Sequence, residues 1–224
     1  MNDLSSEGKK GVWTAIALGE LVVAGLVIYL DLLLPTLVII GICVISLVIR
    51  KEGLSALGFK KLERPARTAL IVLAVVLIWT VFHLAVSMPV LNHLTGTTQD
   101  LSSYEELQGN LSGLIVLLVL TWTLAAFAEE VVFRGYLFRR VRDVLGDGRP
   151  GIVSAVVITS LLFGMIHLEQ GVVGVALTTM DAVVFCALRL KFADNLWPAI
   201  MAHGFSNTIG MVAVFFVGPI YGLW

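Results

Sequence analysis

The sequence predicts an all-α fold, a polytopic transmembrane helix bundle with about seven spans and room for an eighth, on three observations. Hydrophobic residues make up 58% of the 224, charged residues only 14%, and mean hydropathy is +0.95, far more apolar than a soluble domain. Apolar windows of about 17 to 23 residues, the length that crosses a hydrocarbon core at ~1.5 Å per residue, recur along the chain. The basic residues also fall in alternate gaps between those windows, the pattern left when Lys and Arg are retained on the cytoplasmic side.

The windows are residues 12–30, 32–49, 69–91, 111–134 with an interfacial extension to 142, 151–168, 171–190 and 196–217. The junction from Asp31 to Pro35 is tight, so the first two are expected to form a hairpin. Lys9 and Lys10 precede the first window, and Arg50, Lys51, Lys60, Lys61, Arg64 and Arg67 follow the second. Arg139, Arg140, Arg142 and Arg149 follow the fourth, and Arg189 and Lys191 close the sixth. These are fourteen of the 15 Lys and Arg; the fifteenth is Arg134, and residues 92–110 hold none. The N-terminus is therefore expected in the cytoplasm and the tail ending at Trp224 outside, in what reads as a prokaryotic plasma membrane. The first apolar run is long, contains Glu20 and lacks a small-residue cleavage site, so it is expected to persist as a helix.

A net charge of −1 without a basic patch argues against nucleic acid as a partner. Cys43 and Cys186 each lie in an apolar window, where a thiol behaves as a small hydrophobe, and no disulfide is expected.

Three windows carry polar pairs at helical spacing. Glu129 and Glu130 follow an almost wholly apolar run, with Arg134 one turn further on. Residues i and i+4 share a helix face, so Glu130 and Arg134 can pair while Glu129 points about 100° away and stays free. Phe163 and His167 repeat the spacing beside Gly164, which allows a neighbouring helix to approach closely. His203 and Asn207 repeat it again after Trp197-Pro-Ala199. A structural ion pair accounts for Glu130 and Arg134 but leaves the second acid unexplained. Taken singly, His167, His203 and Asn207 read as helix-packing groups. Ionisable residues at bilayer depth are costly and usually mark a cavity, a relay or a site, so together they read as one centre. Glu20, Asp181 and His83 are weaker candidates for the same cavity, each alone more often a bundle-interior hydrogen-bonding group. Glu169 and Asp194 lie at predicted ends and are expected in solvent, and His93 carries no signal.

The segments Glu129-Glu-Val-Val-Phe-Arg134, Phe163-Gly-Met-Ile-His167 and His203-Gly-Phe-Ser-Asn207 resemble the signature motifs of the CAAX protease and bacteriocin-processing family (CPBP, or Abi), which includes the Ras-converting CAAX prenyl endopeptidases. The resemblance runs from about Thr121 to Thr208. Phe133-Arg-Gly135 and Trp197-Pro-Ala199 fit it too, and Leu57-Gly-Phe59 is similar to a weaker family feature. It implies an intramembrane endopeptidase of membrane-associated peptides or proteins, with residues 111–224 as catalytic core and residues 1–110 as N-terminal helices with a basic cytoplasmic loop. On that resemblance Glu129 is the general base, His167 shares or orients the water, His203 and Asn207 stabilise the oxyanion, and Glu130, Arg134 and Phe163 support them.

The family is often described as metalloprotease, and Glu129, His167 and His203 are the candidate ligands of a divalent ion, zinc foremost. No His-Glu-x-x-His helix occurs, and metal-free activation of water by Glu129 and His167 is the alternative. Two further functions stay open: a proton- or ion-coupled transporter, since carboxylates and His also build relays, and a noncatalytic immunity or scaffold protein of the same fold. The sequence also poses a geometric problem. Counted at ~1.5 Å per residue, Glu129 lies about 15 Å below Arg139, His203 about 9 Å below Trp197, but His167 about 25 Å beyond Pro150. Straight spans do not converge, so either the fifth helix starts inside the cytoplasm or the helices tilt. Because Glu129 and His203 fall nearer the basic ends of their helices, substrate access is expected from that side.

Overall fold

Proline starts most of the long helices: Pro35, Pro65, Pro150 and Pro198 each occupy the first turn, where the missing N–H has no intrahelical partner to lose. In the computed structural model, which describes residues 2–32 and 34–224 and the side chains from Gly11 onward except Leu33, the elements are α1 (Asn2–Tyr29), α2 (Pro35–Arg50), α3 (Pro65–Thr95), α4 (Leu111–Leu145), α5 (Arg149–Met165), α6 (Gly171–Lys191) and α7 (Trp197–Val217). No strand occurs among the described residues, and the all-α expectation holds. The expected junction includes Leu33, which lies outside the described residues, as do the side chains of Lys9 and Lys10. The α1 and α2 helices nevertheless pack together as expected.

Each predicted window has its helix, and five segments are long and apolar enough to cross a membrane. The other two, α2 and α5, have 16 and 17 residues, about 24–26 Å at ~1.5 Å per residue, just short of a typical hydrocarbon core. Exposed Val, Leu and Ile stud the outer faces, Val48, Ile78 and Leu70 among them. That is the surface of an integral membrane protein, whose outer face is solvated by lipid tails.

Two helices are wound loosely where they pass the interior. In α3 a π-helical turn spans His83–Ser87 just ahead of Pro89, as expected where a proline removes an N–H and crowds the preceding turn. In α4 π-helical geometry covers Thr121–Glu129 and Val131–Leu137, on either side of Glu130. Such i→i+5 turns re-aim the side chains after them and are frequent at functional sites.

The interior joins both halves of the chain. Ala24, Ile39 and Leu57 share one cluster with Phe133, Tyr136 and Phe163. The Leu57-Gly-Phe59 segment is a turn in which Gly58 takes φ +97°, its Cα facing Arg189 and the Asp194 carbonyl; only glycine fits both the dihedral and the space. Its carbonyl accepts the Leu196 N–H at 2.9 Å, and the Phe59 ring meets Trp197 edge-on at 5.4 Å. This N-terminal turn thereby holds the start of α7. Gly164 lets α5 touch α6, for a Cβ there would fall 2.0 Å from Thr179 Oγ1 and 2.8 Å from the Val175 carbonyl. Cys43 and Cys186 are free and buried.

One end of the bundle collects cations. Arg140 pairs with Glu52 at 2.7 Å, Glu20 at 3.3 Å and Asp143; Arg50 reaches Glu20 at 3.3 Å. Glu20 therefore belongs to this network and to Ser46, whose hydroxyl donates to it at 2.7 Å, and it does not face the cavity described below. Asp194 is likewise no free solvated end. It pairs with Arg189 at 2.8 Å and Arg142 at 2.9 Å; burial acts to raise its carboxyl, but the two guanidiniums hold it below the usual carboxylate range. The opposite end is tied by Asp100 N–H to the Gln170 carbonyl at 2.9 Å and Gly109 N–H to the Phe215 carbonyl at 3.0 Å.

The convergence problem resolves in α4 and α7. The α4 helix runs to Leu145, with Phe138, Arg140 and Val141 buried in protein, so Glu129 lies 16 residues from its end, about 24 Å. His167 lies 18 residues from Arg149, about 27 Å, which agrees within a turn. Held by Gly58, α7 begins beside Phe127, ring centroids of Phe127 and Trp197 lying 6.4 Å apart. His203 thus reaches the same depth after only two turns.

Candidate active site

The fully buried pair at the centre is the one that the i, i+4 spacing predicts. Glu130 and Arg134 have 0% exposure, with Arg134 Nη1 2.9 Å from Glu130 Oε1. The same oxygen lies 3.0 Å from His203 Nδ1, so α4 and α7 are pinned by one carboxylate. The Arg134 guanidinium lies over the Phe163 ring at 4.1 Å and 5.4 Å from that of Phe185. Phe185 stacks on His203 at 5.3 Å, and Phe163 meets His203 edge-on at 5.6 Å. Arg134 and His203 therefore share a box of two rings, one of which, Phe185, carries no motif signal. Only the packing of α6 brings it in.

Glu129 points elsewhere. With His167, His203 and Asn207 it lines a cavity of about 530 Å³. Its Oε2 is buried without a hydrogen-bond partner, a costly state for a carboxylate oxygen. The ring of His167 sits just past the end of α5, its Nδ1 bonded to the Phe163 carbonyl at 2.9 Å. A carbonyl only accepts, so Nδ1 carries the proton and Nε2 is left free with a lone pair. His203 is fixed in the same way, its Nδ1–H held by Glu130, and its side chain lines the cavity. All of the predicted site residues come together, Phe163 as their shared floor.

Of the weaker candidates, Asp181 and His83 do line this cavity, on the α6 and α3 walls. Glu169 is exposed, as expected, at the rim. Gln99, Leu101, Tyr104 and Gln170 complete that rim. Burial pushes the Tyr104 phenol up, and the negative charges of Glu169 and Glu129 add to it. Access is the expectation that fails. The cavity runs from Glu129 and His203 to the end bearing residues 99–104 and 169–170, while none of the basic loops lines it. The cause is depth: α4 continues to Leu145 and fills the basic end with Phe138, Val141 and the Arg140 network.

For a metal the donor set fits poorly. Among the described residues no three His, Cys, Asp or Glu side chains gather as a metal-holding group.

Residues 111–209 match the family model of the Rce1-like type II CAAX prenyl endopeptidases. No curated protein and no solved structure matches the chain. The matched stretch begins with α4, ends within α7 and holds Glu129, Glu130, Arg134, Phe163, His167, His203 and Asn207. Residues 111–209 of this integral membrane protein are therefore similar to the Rce1-like type II CAAX prenyl endopeptidases.

Proposed function

We propose that the chain is an intramembrane endopeptidase that hydrolyses a peptide bond of a membrane-associated peptide or protein with water activated by Glu129 and His167. The observation that carries this reading is the Glu129 carboxylate, which faces the cavity with an unpartnered oxygen, the same cavity that His167 lines with its Nδ1 held by a carbonyl and its Nε2 free. Water seated between them gives one proton to Glu129 while its oxygen attacks the carbonyl carbon. The oxyanion that forms is met by Nδ2–H of Asn207 and, when His203 is protonated, by its Nε2–H; the Nδ1–H bond to Glu130 stabilises that imidazolium. Glu129 then hands its proton to the leaving amine. Arg134 pairs with Glu130 and so holds that carboxylate in place as the acceptor for His203. No step passes through a metal.

Cleavage of a quenched-fluorescence peptide by protein reconstituted in vesicles, native against Glu129→Gln, tests the reading. Glutamine keeps the shape but accepts no proton, so turnover is expected to fall by roughly 10²-fold or more. Near-native turnover in Glu129→Gln refutes it.

A further inference from the structure

The cavity carries a second polar group that the hydrolysis does not use. Asp181, on α6, accepts a hydrogen bond from Trp79 Nε1 at 2.7 Å through Oδ1. His83, in the π-helical turn of α3, is 8% exposed, meets the Trp79 ring edge-on at 4.7 Å and lines the same cavity. Its Nε2 makes no hydrogen bond; the nearest acceptor, Asp181 Oδ1, is 3.5 Å away. The Asp181 side chain keeps 24% exposure, and among the described residues nothing donates to its second oxygen. Packing alone does not explain this arrangement, because asparagine would serve Trp79 equally and leave no charge in an apolar wall.

We infer that Trp79, His83 and Asp181 form a subsite that takes a cationic side chain, lysine or arginine, of the substrate about two residues from the scissile bond; the inference rests on the endopeptidase reading above. The cavity brings no Lys or Arg to Asp181: its ionisable lining is acids, histidines and Tyr104. Arg134 is held behind Phe163 with Glu130. The approach favours a cation as well: residues 92–110 carry Asp100, Glu105 and Glu106 and no Lys or Arg, and Glu169 sits at the rim.

Register follows from α6. Asp181 precedes Phe185 by one helical turn, and Phe185 stacks on His203. Four residues rise about 6 Å along the helix, and an extended peptide covers that in about two residues at ~3.3 Å each. The subsite thus lies between the catalytic cluster and the cavity mouth, where a bound chain passes it.

The test uses three peptides identical except for Lys, norleucine or Glu at that position, with binding measured by fluorescence anisotropy on Glu129→Gln protein and cleavage on native protein. The Lys peptide should bind at least about tenfold more tightly than the norleucine peptide, the Glu peptide weakest. In protein carrying Glu129→Gln with Asp181→Asn, which keeps an acceptor for Trp79, the Lys preference should vanish while norleucine binding persists. His83→Gln gives a second variant on the α3 side of the same subsite and should reduce the Lys preference without reversing it. Equal binding of Lys and norleucine peptides, a preference that survives Asp181→Asn, or no binding of any peptide overturns the subsite. An Asp181-dependent Lys preference without cleavage by native protein supports the subsite and refutes the hydrolytic reading.

Discussion

Arg134→Ala attacks the centre of the site without touching the cavity. In the native protein the Glu130 carboxylate has 0% exposure and shares its Oε1 between Arg134 and His203. Removing the guanidinium leaves a buried carboxylate with one histidine as its partner, a loss of about 3–5 kcal/mol where such pairs have been broken in protein interiors. For a chain of this size that corresponds to a fall in melting temperature of about 6–20 °C. The vacated space under Phe163 and Phe185, where the guanidinium packs at 4.1 and 5.4 Å, places the result toward the larger end. The assay is thermal unfolding in detergent of native, Arg134→Ala, Glu130→Ala and the double variant. The double variant should lose less than the sum of the two singles, because the second truncation removes the stranded charge. An unchanged melting temperature in Arg134→Ala, or strict additivity in the cycle, refutes the pairing.

His167→Ala should remove turnover as Glu129→Gln does while the protein elutes as native on size exclusion; retained activity removes His167 from the mechanism. Activity should withstand exhaustive chelation, and loss on chelation that zinc restores would show that a metal completes the site after all. Gly164→Leu should lower stability, since any Cβ there collides with Thr179 and the Val175 carbonyl, whereas an unmoved melting temperature would mean that α5 and α6 are not in contact. Asp194 has a carboxyl held below its usual range, so its ion pairs stabilise the fold above the unfolded-state pKa and fade as pH falls through the lower folded-state value. Asp194→Asn should therefore be less stable than native protein near neutrality and converge with it in strong acid; a gap that widens on acidification reverses the sign. With Cys43 and Cys186 replaced, cysteine at Ser55 should resist an impermeant thiol reagent in intact cells and cysteine at Thr97 should label. The opposite pattern inverts the topology and moves the cavity mouth to the cytoplasmic face.

The sequence by itself determined the helical, membrane-embedded class, the windows and the central ion pair, because these depend on local quantities. Span length follows from bilayer thickness, and the Glu130–Arg134 pair follows from the 3.6-residue repeat within one helix. The separation of the two acids, one held and one free, was legible for the same reason. Convergence and access were not. Whether Glu129, His167 and His203 reach one depth depends on where α4 ends and where Gly58 catches α7, both long-range contacts. The same contacts fill the basic end of the bundle and leave the cavity open at the other. Periodicity placed Glu20 as well as Asp181 inside the bundle, but only packing sorted them, Glu20 to the Arg50 and Arg140 network and Asp181 to the cavity wall. Phe185 and Trp79 carry no pattern of their own among so many apolar residues; what gives each a role is which helix lies opposite, and that is decided by the tertiary fold.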